Sequence, residues 1–291
     1  MADSATVAVV GLGAMGSRIA RRLLHAGYSV VVWNRSAAKT LPLADAGAVP
    51  VASPAEAARR ADAVLTMLSD PSALFAVTEG PAGIAAGIGG STTLIEMSTV
   101  GPAAVDALAS RLPEGTELLD APVLGSLSEA EAGSLEVFIG GREDLVERWT
   151  PLLSTLGRPV HVGPLGTGAG AKLVANTALL GTLALLGEVL ALADAVGLST
   201  TAAFDLLERT PLAAQATRRR DAVERGEYPR RFALSLARKD AELIVDAAAA
   251  SGLELRLTTA TRSWLADAER AGLGERDYAA LLAWLREPNR F

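Results

Sequence analysis

Residues 7–36 read VAVVGLGAMGSRIARRLLHAGYSVVVWNRS, and the succession of residue types in this stretch decides the fold. A β-branched run ends at Gly11, an amphipathic segment with apolar residues at three-to-four spacing follows, and a second β-branched run closes at Trp33. The pattern predicts strand, glycine turn, helix and second strand. In that setting Gly11 permits the tight turn, Gly13 lets the backbone approach a pyrophosphate, and Gly16 lets helix and strand pack closely. The helix N-terminus then faces the anion. The strand–turn–helix context, more than the glycines alone, points to a dinucleotide, with Leu12, Ala14 and Met15 completing the binding turn.

The choice of dinucleotide is read where the second strand ends, here at Asn34, Arg35 and Ser36. A carboxylate at this place pairs with ribose hydroxyls and repels a 2′-phosphate, whereas an arginine stacks on adenine or pairs with that phosphate. Arg35 therefore favours NADP over NAD.

Beyond residue 36 short apolar runs recur, in AVLTML, TTLIEMS, TELLDAPV, EVFIGG and PVHVG, with helical segments between the earlier ones. Strands alternating with helices predict an α/β class, a doubly wound, mostly parallel sheet of Rossmann type. After Gly163 nearly everything is helical. Two domains are expected, residues 1–164 binding the dinucleotide and residues 165–291 all-α, with a glycine-rich hinge, GPLGTGAGAK, and one long helix from Lys172 to Val196 joining them. A chain of 291 residues exceeds what one core comfortably serves.

In an open parallel sheet, ligands bind beyond the carboxyl ends of the strands. The polar breaks fall at those ends: Leu68, Ser69 and Asp70 after AVLTM, Ser98 and Thr99 after TTLIEM, and Pro122, Val123, Leu124, Gly125 and Ser126 after TELLDA. Lys172 and Asn176 stand four apart and share one helix face. A lysine near a helix start is by default a surface residue. Buried beside a cationic nicotinamide, it becomes a proton donor to a carbonyl oxygen as hydride reaches the carbon.

Composition removes several alternatives. A net charge of −6 argues against a nucleic-acid partner, and the one basic run, Arg218-Arg219-Arg220, is followed by Asp221 and reads as a solvated helix face. There is no cysteine and there are only two histidines, His25 and His161, which leaves no thiolate nucleophile, little for a Ser/His/Asp hydrolase and no metal-ligand spacing. The apolar stretch from Thr177 to Gly187 is short of the ~20 residues of a membrane span, so no membrane partner is expected. The N-terminus enters the first motif without a basic region or a cleavable apolar segment, which predicts a cytoplasmic location.

Four blocks in order, GLGAMG with WNR, DAPVLGSLSEAEAG, GTGAGAKLVAN and FALSLARKDAELIVDAAAASG, resemble the β-hydroxyacid dehydrogenase family over essentially the whole chain. MLSDP, EMSTV, APVLGS, LADAVGLS and the YP before RRFALSLARKD look most like its glyoxylate and succinic semialdehyde reductase branch, which uses NADPH. The resemblance implies that Lys172 is the general acid, that Asn176 positions the substrate, and that Thr99 and Asp240 help complete the site. It further implies that Phe232 closes over the substrate, that Lys239 lies near the cofactor, and that the chain forms a homodimer or homotetramer through its helices. One position departs: where the family commonly has Ser-Gly after APV, this chain has Leu124-Gly125, with Ser126 following. The expected function is reduction of a small aldehyde or keto acid. An imine reductase on the same scaffold is the alternative that Leu124 keeps open and Lys172 opposes, and a non-catalytic cofactor-binding module is a third reading that Lys172 also opposes.

Overall fold

The computed structural model describes residues 5–287. They fall into two compact units, Met1–Leu173 and Val174–Phe291.

The first unit alternates strand and helix: β1 (Thr6–Val10), α1 (Ala14–His25), β2 (Ser29–Trp33), α2 (Leu41–Ala44), β3 (Val49–Pro50), α3 (Pro54–Arg60), β4 (Ala63–Thr66), α4 (Pro71–Thr78), β5 (Thr93–Glu96), α5 (Pro102–Ala109), β6 (Glu117–Asp120), β7 (Val123–Leu124), α6 (Leu127–Ala132), β8 (Leu135–Gly140), α7 (Glu143–Ser154) and β9 (Gly157–Gly163). The sheet runs β3-β2-β1-β4-β5-β6-β8-β7, with β9 also paired to β8. From β3 to β6 every pairing is parallel, while β8 runs antiparallel to β6 and β7. This is the doubly wound order, with its switch point at β1, between β2 and β4.

Alternation along each strand sends side chains to two cores. Val7, Val9, Val30, Val32, Leu65 and Ile95 pack with α1 and α7 on one face; Ala8, Val10, Val31, Val64 and Leu94 pack with α3, α4 and α5 on the other. A sheet buried on both faces explains the near-continuous apolar strands.

The GTGAG segment, expected as a hinge, is helix: α8 spans Thr167–Ala195 and so begins before Lys172. The cause lies in β6, where the buried Asp120 carboxylate accepts the N–H groups of Gly166 (2.8 Å) and Ala169 (2.6 Å). Those are orphan donors of a helix start, and satisfying them fixes the first turn. Gly168 serves close packing, since a Cβ there would stand 2.5 Å from the Phe138 carbonyl oxygen and 2.6 Å from that of Asp120.

The second unit continues α8 into α9 (Thr200–Leu207), α10 (Ala213–Arg225), α11 (Leu234–Ala250), α12 (Arg256–Ala268) and α13 (Ala280–Arg286). By length and composition α8 would suffice to cross a membrane; its Leu180, Leu183, Leu186 and Leu190 are fully buried, while Val174 and Leu192 are exposed.

Candidate active site

The three glycines of the opening turn have distinct structural reasons. Gly11 has φ 101°, and a Cβ on it would collide with the Met67 carbonyl oxygen; a Cβ on Gly16 would collide with the Gly11 carbonyl oxygen. Nothing lies within 4 Å of a Cβ built on Gly13, which is exposed beside the start of α1. Two glycines are thus required by the chain itself, while the third leaves an open approach at a helix N-terminus. This cradle fits a pyrophosphate.

At the end of β2, Asn34 accepts the Leu12 N–H through Oδ1 (2.9 Å) and donates from Nδ2 to the Ser36 carbonyl (3.1 Å). Its side chain ties the glycine turn to the next loop. Arg35 is exposed and makes no ion pair among the described residues, so its guanidinium is free for a phosphate. After β4, Leu68 donates its N–H to Ser98 Oγ (2.8 Å), and Ser69 Oγ donates to Asp70 (2.6 Å), whose carboxylate caps α4 at Ala73. Thr99 is half-buried just past β5.

Sequence reasoning missed what fastens these loops. Glu96, 1% exposed at the end of β5, accepts from Thr66 Oγ1 and from the Ser98 N–H (2.6 Å). Burial raises its carboxyl to about 7, against the lowering effect of these hydrogen bonds. Asp120, paired with Glu96 in the sheet register, is likewise raised, again chiefly by burial. Nothing local in sequence marks either acid as buried, because their partners come from other strands and from α8.

Pro122 and Val123 are buried, Leu124 is half-buried on β7 and Gly125 is exposed. Ser126 is engaged: its N–H donates to Glu129 Oε2 (2.8 Å) and its hydroxyl to the same carboxylate, in a capping box that starts α6. The Ser126 hydroxyl therefore does not replace the donor that Leu124 lacks. The S-x-x-E spacing of Ser126 and Glu129 was the available signal for this role.

Lys172 is only 9% exposed, so the surface default for a lysine does not apply. In the second unit Asn176, one turn further along α8, is buried and donates from Nδ2 to Asp240 Oδ2 (2.7 Å). Its Oδ1 is buried and has no donor among the described residues. Lys239 Nζ stands 2.7 Å from Asp240 Oδ1. The structure thus brings Asn176, Lys239 and Asp240 together. Phe232 is half-buried before α11, held through its N–H by Asp277 (3.0 Å) and through its carbonyl by the Tyr278 N–H (2.8 Å).

No cluster of metal ligands occurs among the described residues. A groove of about 360 Å³ lined by Leu112, Glu117, Leu118, Arg142, Leu145 and Pro164 contains none of the residues above. Two of its charged groups are paired, Glu117 with Arg148 and Arg142 with Asp144.

Residues 6–165 match the NAD-binding domain of 6-phosphogluconate dehydrogenase, and residues 166–285 match the NAD-binding domain of NADP-dependent 3-hydroxyisobutyrate dehydrogenase. The chain is 32% identical to 3-sulfolactaldehyde reductase of Escherichia coli over 286 residues, covering 97% of this chain and 96% of that protein. It is 30% identical to glyoxylate/succinic semialdehyde reductase 1 of Arabidopsis thaliana, covering 95% and 96%. Among solved structures, 3-hydroxyisobutyrate dehydrogenase of Mycobacterium tuberculosis with L-serine superposes with a TM-score of 0.87 at 27% identity, covering 98% of this chain and all of that one.

Proposed function

Because this chain belongs to the β-hydroxyacid dehydrogenase family and is an NAD(P)-dependent oxidoreductase, we propose that it reduces a small aldehyde or keto acid, of the glyoxylate or succinic semialdehyde type, with NADPH. The observation that carries this reading is the pair on α8: a buried lysine and, one turn on, a buried asparagine fixed by a buried aspartate.

Gly11, Gly13 and Gly16 would hold the pyrophosphate of a reduced nicotinamide cofactor, which would supply the hydride for the carbonyl carbon. Lys172 gives its proton to the carbonyl oxygen in the same step and recovers it from water, so the product is the alcohol. Asp240 fixes one end of the Asn176 amide, which leaves Oδ1 to accept from a substrate or cofactor N–H or O–H. Thr99 completes the oxygen's surroundings. A reduced-cofactor assay against glyoxylate, succinic semialdehyde, apolar aldehydes and cyclic imines tests the reading. Turnover of an aldehyde acid is expected; turnover of imines alone, or of nothing, overturns it.

Preference for NADPH rests on Arg35. Replacing Arg35 by leucine removes a charge-assisted contact worth roughly 1.5–3 kcal/mol. The ratio of kcat/KM for NADPH over NADH is expected to fall roughly 10- to 100-fold, and an unchanged ratio assigns the preference elsewhere.

The chain is further proposed to self-associate. Val174, Leu185 and Leu192 on α8 and Val196 just after it are exposed, an apolar strip that a second copy would cover. Light scattering at micromolar concentration is expected to give at least a dimer; a monomer refutes this assembly.

A further inference from the structure

Within the first unit, the loops after β1, β4 and β5 are fastened to one another beyond the carboxyl ends of those strands. The glycine turn after β1 is packed directly on the loop after β4. A Cβ on Gly11 would stand 2.4 Å from the Met67 carbonyl oxygen and 2.8 Å from Leu68 Cδ2, and one on Gly16 would stand 3.3 Å from Met67 Cβ. The Met67 N–H donates to the Val10 carbonyl (3.0 Å). With so little space between them, the turn that approaches the cofactor follows any movement of Met67 and Leu68.

The loop after β4 is held in turn by the loop after β5. Leu68 donates its N–H to Ser98 Oγ (2.8 Å), the Ser98 N–H donates to Glu96 Oε1 (2.6 Å), and the Thr66 hydroxyl donates to Glu96 Oε2. One carboxyl thus joins the last residue of β4 to the residue that holds Leu68. Burying an acid is costly, and neither the hydride nor the proton step makes use of this one.

We propose that Glu96 is a positioning residue for the dinucleotide: it sets the loops after β4 and β5 against the glycine turn and thereby ties cofactor affinity to its own charge. The inference rests on the nicotinamide-cofactor reading of that turn and is independent of which carbonyl is reduced.

The sign follows from electrostatics. Phosphates at the glycine turn repel an ionised Glu96, and a ligand lying over the loops removes water from its surroundings; both effects favour the neutral acid. In the neutral form Oε1 still accepts from Ser98 while Oε2 donates to Thr66, so both fastenings survive protonation. Asp120, the register partner on β6, adds its charge in the same direction. β4 is Ala-Val-Leu-Thr and residues 97–99 are Met-Ser-Thr, so neither brings a further charge to Glu96, and Asp70 is engaged in capping α4 at Ala73 (2.8 Å). Burial places the Glu96 carboxyl at about 7. Cofactor binding is therefore expected to take up protons near neutrality and to weaken as pH rises through that range.

The test measures NADPH binding by fluorescence, and by calorimetry in buffers of different ionisation enthalpy, from about pH 6 to about pH 8.5, in wild type, Glu96→Gln and Ser98→Ala. The 2′-phosphate of NADPH titrates close to this range, and comparison with Glu96→Gln cancels it. Wild type and Glu96→Gln are expected to bind alike at the acid end. At the alkaline end the wild-type Kd is expected to rise roughly 3- to 10-fold relative to the variant, with extra proton uptake on binding in wild type alone. Ser98→Ala keeps the acid but cuts its link to Leu68, and is expected to weaken binding roughly 2- to 10-fold, the effect of one hydrogen bond.

Parallel Kd profiles with equal proton uptake in wild type and Glu96→Gln overturn the proposal, as does an unchanged Kd in Ser98→Ala. NADH, which lacks the 2′-phosphate, keeps the test decisive if Glu96→Gln does not fold: wild type binding NADH without proton uptake near neutrality also overturns it. A wild type that binds neither dinucleotide overturns the cofactor reading itself.

Discussion

Replacing Lys172 by methionine is expected to lower kcat for the preferred aldehyde roughly 100- to 10,000-fold, the usual loss when a positioned proton donor is removed. The methionine keeps the apolar stem in its buried place. Single-turnover oxidation of NADPH should slow by orders of magnitude in a variant that still folds cooperatively. A loss of less than about tenfold assigns the proton to water or another group. Collapse of the melting temperature would instead make Lys172 a structural cation. The comparison is informative because Lys172 belongs to a helix whose start is fixed independently, by Asp120 acting on Gly166 and Ala169.

The largest expected effect on stability concerns Glu96. Its carboxyl titrates at about 7 in the folded chain and at the usual 4.5 when exposed. Between those values the folded state holds a proton that the unfolded state has released, so stability falls as pH rises through this window. Below it both states are protonated and the contribution is complete; above it both are ionised and the loss stops growing. The difference corresponds to about 3 kcal/mol, or roughly 5–10 °C in melting temperature for a chain of this size.

Glu96→Gln keeps the shape and the acceptor for Ser98 while removing the titration, with the Thr66 hydroxyl turning to accept. Wild type should lose this increment between about pH 5 and pH 8 relative to the variant. Parallel melting curves for the two proteins across that range would place the titration on another residue.

Much of this architecture was legible because its causes are local. Strand, glycine turn, helix and strand follow from residues 7–36, and the α8 pair follows from four-residue spacing. Where causes are distant in sequence, the reading fell short. The start of α8 depends on Asp120, some fifty residues earlier, so the glycines of GTGAG looked like a hinge. Arg219 meets Tyr278 across 59 positions, so a run of three arginines looked uniformly solvated. The two-residue strands β3 and β7 exist only through pairing with longer neighbours and have no pattern of their own. Glu96 escaped in the same way: a single acid ending an apolar strand reads as the first exposed residue, although Thr66, 30 positions earlier, donates to it and keeps it inside.

The unequal constraints on the opening glycines bear on how such a protein is inherited. Substitutions at Gly11 or Gly16 strike the backbone itself, and a cell's quality control would remove the misfolded product. A methyl group at Gly13 would have no described atom within 4 Å beyond its immediate chain neighbours. A lineage can therefore acquire it and go on producing abundant, well-folded protein whose approach to the cofactor is obstructed, so loss of catalysis at this position would leave no trace in protein abundance.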